Sequence, residues 1–158
     1  MKTDTTVQYM ERSRDYYAAH GYDAPYDWAH FDHIPFAPLK KPLAESTVTI
    51  VTTSMPAPVA NRIDRQLYIG DLQNPPSKLF TDGLAWDMDA THTDDLDSFF
   101  PAEELDKRRQ HGEIGDLSAH YYCVPTLYSH RRTMQQDAPA ILASCVKDGV
   151  DVALLVPL

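Results

Sequence analysis

The chain has 158 residues, 43% of them hydrophobic, which suits the core of a single α/β domain and excludes a long disordered segment. Its 14 basic and 23 acidic side chains leave a net charge of −9, which argues against a nucleic-acid partner because phosphate recognition needs clustered Lys and Arg. No run approaches the roughly 18 apolar residues of a membrane helix, Met1-Lys2-Thr3-Asp4 lacks the apolar core of an export signal, and there are two cysteines; the expectation is a cytoplasmic protein with free thiols and no membrane partner.

Residues 5–20 read as a first helix, with Val7, Met10, Arg14 and Tyr17 near one face and Gly21 as its stop. An aromatic arm, Tyr22 to Lys41, follows, and Pro35, Pro38 and Pro42 keep its later part irregular. The arm is expected to pack on the main body or on a partner. Thr47-Val48-Thr49-Ile50-Val51-Thr52-Thr53 is β-branched and short, the pattern of a central, buried parallel strand. A long polar connection then leads to a candidate strand at Gly83–Met88. Pro101 to Arg109 opens with proline and two acids and ends in basic residues, as a helix does. Leu117 to Val124 reads as a strand and Arg132 to Lys147 as a helix, kinked or late-starting because of Pro139. Val150 to Pro157 is the last strand.

Alternating strands and helices at this spacing predict an α/β fold: a parallel sheet with crossover helices, flavodoxin- or Rossmann-like, in three layers. The expected division is a helix and extended arm over 1–45 and an α/β domain over 46–158. The carboxyl end of the last strand coincides with the end of the chain, so the sheet is expected to be truncated before its covering helix. Ligand sites in open α/β sheets lie outside the carboxyl ends of the strands.

Three stretches carry a resemblance. Tyr9-Met10-Glu11-Arg12 through Tyr16-Tyr17-Ala18-Ala19-His20-Gly21-Tyr22, continuing to Pro35-Phe36, forms the first. The second is Asp95-Leu96-Asp97-Ser98-Phe99-Phe100-Pro101 with Gly112-Glu113-Ile114-Gly115. The third is Asp148-Gly149-Val150-Asp151 running to Pro157. In this order and spacing they resemble the selenoprotein B family of glycine, sarcosine, betaine and D-proline reductases. The resemblance implies an oxidoreductase subunit that cleaves a C–N bond reductively, restored by dithiols. It implies a small amine or amino-acid-like substrate and partner reductase subunits. It also implies a selenocysteine or cysteine directly after residue 158, in a motif that opens a helix, so the chain by itself is expected to be inactive. No other cofactor is expected.

The site candidates are His120, Asp87 and Asp95. Family members commonly have a histidine in the strand matching Leu117–Val124. His120 could donate a proton to a leaving amine at the carboxyl edge; the plainer alternative is a core or surface histidine. Asp87 and Asp95 could bind a substrate ammonium or orient a histidine, although Gly83-Leu84-Ala85 stands where the family carries serine-histidine-glycine. Asp87, Asp89, His92, Asp94 and Asp95 could also ligate a metal, but they match no EF-hand loop and read better as a solvated acidic loop. His30 and His33 fit a packing arm better than a metal site. Cys123 is either a small hydrophobe on a buried strand or a resolving thiol, and Cys145 reads as structural. Thr52, Thr53 and Ser54 border the expected site by topology. Phosphate-loop, dinucleotide, nucleophile-elbow and H-E-x-x-H motifs are absent. A non-catalytic assembly module and a metal-dependent enzyme using His92, His120 and the acidic loop are the competing readings.

Overall fold

The computed structural model describes residues 8–22, 30–34, 37–58, 60, 66–84, 88–127 and 129–158. The chain forms two compact units, Met1–Phe36 and Ala37–Leu158. In the first, helix α1 spans Tyr9–Ala19 and buries none of its residues. Gly21 takes a φ of 78° and Tyr22 N donates to Tyr17 O, the left-handed cap expected of glycine at a helix end. Tyr16 packs on His20, one helical turn on, and Tyr17 packs on Tyr22 across the Gly21 cap.

The second unit is α/β, with an open, mostly parallel five-stranded sheet. Strand β1 (Thr47–Thr52) is central. Strand β5 (Val152–Val156) pairs in parallel along one edge of it, from Val48↔Val152 to Thr52↔Val156. The other edge is shared: β3 (Asp116–Leu117) pairs with its start and β4 (His120–Cys123) with its end. The predicted strand 117–124 is therefore broken at Ser118-Ala119. Ser118 bridges the break, since its Oγ accepts from His120 N at 3.2 Å.

β2 (Tyr68–Asp71) lies outside β4 and is antiparallel to it. It falls in what reads from the sequence as a polar connection, and it corrects the expectation of a strand at Gly83–Met88. Residues 81–84 and 88–91 hold no strand, and residues 85–87 lie outside the described residues. β2 was hidden because Tyr68-Ile69-Gly70-Asp71 is short and interrupted by glycine. Gly70 is needed there, because a Cβ on it would overlap the ring of Tyr121, its cross-strand partner.

Side chains alternate across the sheet. Val48, Ile50, Tyr121 and Cys123 point to the main core, which Phe99, Phe100, Ala102 and Ile114 complete with Leu105 beside it. Helix α2 (Ala102–Gln110) contributes to this layer, and Gly112 with φ 72° ends it. On the other face Tyr122 Oη meets Cys145 Sγ at 3.7 Å. That layer is the segment from α3 (His130–Arg132) through a π-helical turn (Thr133–Asp137) to α4 (Ala138–Lys147). The predicted effect of Pro139 takes this form. A proline at the second position of α4 has no N–H to donate, and the wide turn precedes it.

The chain leaves β4 through α3 and α4, crosses β1, and returns as β5 on the far side. β1 thus has neighbours reached by connections running in opposite directions. That is a topological switch point, the place where open α/β sheets leave a crevice at the carboxyl edge.

Candidate functional site

Two buried hydroxyls finish β1. Thr52 Oγ1 donates to Phe99 O at 3.1 Å, lies 3.0 Å from Ser54 Oγ and accepts from Ser54 N at 3.3 Å. Thr52 and Ser54 are therefore at the carboxyl edge, as the topology implied, but their hydroxyls are turned inward. Thr53 acts on the neighbouring strand instead. Its Oγ1 accepts from Leu158 N at 2.9 Å and lies 3.4 Å from Leu158 O. The end of β5 is fixed in this way beside the end of β1.

Cys123 ends β4 at the same edge and is fully buried. Burial pushes its thiol up to about 12, so it is neutral and shielded at neutral pH. Cys145 is also buried, and both cysteines are free. Neither presents a nucleophile to the carboxyl edge. Tyr122, between them on the α4 face, is likewise pushed up to about 12 by burial.

His120 opens β4, at the opposite end from Cys123 and about 10 Å along the strand from it. His120 therefore does not stand at the carboxyl edge, where a proton donor is expected from the sequence. Its Nδ1 lies 2.6 Å from Asp148 Oδ2, with side-chain exposures of 40% and 9%. Asp148 is the C-cap of α4. His120 O accepts from Thr49 Oγ1 at 2.6 Å. Across the β2–β4 pair stands Asp71, whose carboxyl is held low by the Asn74 amide and the Gln73 N–H, with a smaller contribution from His120. Asp148 was visible in the sequence only as part of the Asp-Gly-Val-Asp run; its link to His120 spans 28 positions and no local pattern reveals it.

Asp95 lies elsewhere. It precedes a short 3-10 turn, Leu96–Ser98, and its carboxylate accepts from Asp97 N. It also borders a cleft of about 680 Å³ between the loop after β2 and the start of α2, whose floor includes Leu72, Phe100 and Leu117. The acidic side chains of the α2 rim are paired within the helix, Glu103 with Lys107 at 2.8 Å and Asp106 with Arg109 at 2.6 Å. Asp87 lies outside the described residues. His92 and Asp94 form an exposed pair at 3.7 Å, and His30 and His33 are exposed outside any helix or strand. Among the described residues no three His, Cys, Asp or Glu side chains gather closely enough to hold a metal ion. Among the same residues no helix is long and apolar enough to cross a membrane.

His120 and Asp95 are not brought together: they belong to the α4 face of the sheet and to the α2 side of the core. Comparison with known protein families, with curated proteins and with solved structures finds no match to this chain.

Proposed function

We propose that the chain is a subunit of a dithiol-dependent reductase of the selenoprotein B type. Its reaction reduces a C–N bond of a small amine or amino-acid-like substrate to C–H and N–H. The two electrons and two protons come from a dithiol, which becomes a disulfide. The reading rests on the order of the three resembling stretches, and one structural observation supports it. Thr53 fixes Leu158 at the carboxyl edge, beside the switch point at β1. A chalcogen following Leu158 at the start of a helix would stand at this edge, with helix N–H groups to stabilise its anion. The chain's own cysteines do not compete for that role, because both are buried.

The test is the coding sequence beyond the Leu158 codon. A UGA codon followed in frame by a cysteine-containing, helix-forming segment supports the reductase. A UAA or UAG codon with no coding sequence behind it overturns the reading.

A further inference from the structure

A groove of about 450 Å³ runs between α4 and the sheet, walled by Val51, Val124, Ile141, Leu142, Cys145 and Leu155. Its volume is that of a small-ligand site. Two carboxylates line it. Asp151, toward the amino edge of the sheet, is neutralised by Lys41 at 2.7 Å and accepts from Thr47 N at 2.8 Å. Asp137 lies at the opposite end, with Thr133 and Val124, where the chain rises from the carboxyl edge into α4.

Asp137 is only 4% exposed. Its carboxylate has no hydrogen-bond or ion-pair partner among the described residues. A carboxylate in apolar surroundings is unfavourable unless a cation or donor joins it. Asp137 also closes the π-helical turn, a form of backbone that recurs at functional sites because it redirects a side chain out of helical register.

We propose that this groove binds a small organic ammonium ion, with the N–H groups donating to the Asp137 carboxylate and the apolar body lying along Ile141, Leu142 and Leu155. A metal ion does not fit, since hard cations need several oxygen ligands and the walls are hydrocarbon. An anion does not fit, since among the described residues the charged groups lining the groove are acids, and the chain carries −9. The inference does not depend on the reductase reading, and it survives if the coding-sequence test fails.

The experiment is calorimetric titration of the whole chain with n-hexylammonium, n-hexanol and n-hexanoate at equal pH. The expected result is hexylammonium binding at least ten-fold tighter than hexanol, with no binding of hexanoate. Asp137→Asn should abolish that ten-fold preference by weakening hexylammonium binding. Ile141→Trp, which fills the groove, should weaken both. Equal affinity for the amine and the alcohol, a preference retained in Asp137→Asn, or no heat from hexylammonium at millimolar concentration overturns the proposal. Circular dichroism of both variants establishes that they are folded, and if Asp137→Asn is not, the three-ligand comparison on the unsubstituted chain decides alone.

Discussion

His120 and Asp148 meet at 2.6 Å between the first residue of β4 and the C-cap of α4. The contact joins the sheet to the helix that crosses it, at the end where α4 turns back toward β5. The nine-tenths buried carboxylate gains a charged donor when the imidazole is protonated, and hydrogen bonds to charged groups are the stronger kind.

Asp148→Asn should therefore lower stability by about 1–2 kcal/mol. Urea unfolding of Asp148→Asn, His120→Ala and the double variant forms a complete cycle, and the expected coupling is about 1 kcal/mol. A coupling near zero would show that the imidazole is not held by this carboxylate, and would leave it free to serve a ligand at the amino end of β4.

Gly70→Ala should destabilise the β2–β4 pair. The added Cβ overlaps the Tyr121 ring, and overpacking of this kind costs about 1–3 kcal/mol. The ring cannot simply swing away, because it also packs on Phe100 at 4.7 Å between centroids. In a Tyr121→Leu background the cost of Gly70→Ala should fall by half or more. An unchanged cost there would place the strain in the backbone instead.

These two sites mark what the sequence makes legible. β1 and β5 declare themselves through unbroken β-branched and apolar runs; β1 is covered on both faces as such a run implies, whereas β5 is apolar although its middle residues are exposed. α2 declares itself through Pro101 and its charge order. β2 does not, because an edge strand of four residues needs only one inward side per pair and carries Gly70 in its middle. The candidate site fares similarly. Asp95 and His120 fall on described elements, but their partners are set by tertiary pairing, so the Asp148 contact and the isolation of Asp137 become visible only in the fold.

Cys123 should resist thiol reagents in the folded state. Burial raises its pKa to about 12, so at pH 8 the reactive thiolate is scarce and the sulfur is inaccessible. Absorbance assay with an aromatic disulfide should show no fast reaction at pH 8 and two equivalents after unfolding, one from each cysteine. The folded pKa lies above the unfolded value of about 8.5. The associated stability is complete below pH ~8.5 and is lost as pH rises toward 12. Fast native labelling would reopen Cys123 as a resolving thiol.

Asp151 ties Lys41 and Thr47 to the turn before β5, and the Lys41 ammonium beside it, together with the Thr47 N–H, holds its carboxyl low. A depressed carboxylate contributes stability above its unfolded pKa of about 3.9, lost as pH falls through the folded value. Lys41→Ala should shift the acid-unfolding midpoint upward, read by fluorescence between pH 5 and 2. The shift should shrink in 1 M salt, because the pair is partly exposed. No shift at low salt would mean that the pair adds nothing to the folded state.

β5 leaves apolar surface open. Among the described residues it pairs only with β1, so one edge of Val152–Val156 offers free backbone groups. Leu154 is 37% exposed, and on α4 Val146 is 72% exposed. An uncharged edge strand with apolar neighbours is a template for association, and natural edges are commonly protected by Lys or Pro. The 158-residue chain should therefore associate with rising concentration, seen as increasing mass in light scattering behind size exclusion. Leu154→Lys places a charge on that edge and should restore the monomer, whereas Val146→Lys, on the helix, should reduce association less. Neither residue lines the groove at Asp137, so hexylammonium binding should persist in both variants. A monodisperse monomer with a cooperative melt at high concentration would contradict this, and would mean that the exposed β5 edge is too short to recruit a second strand.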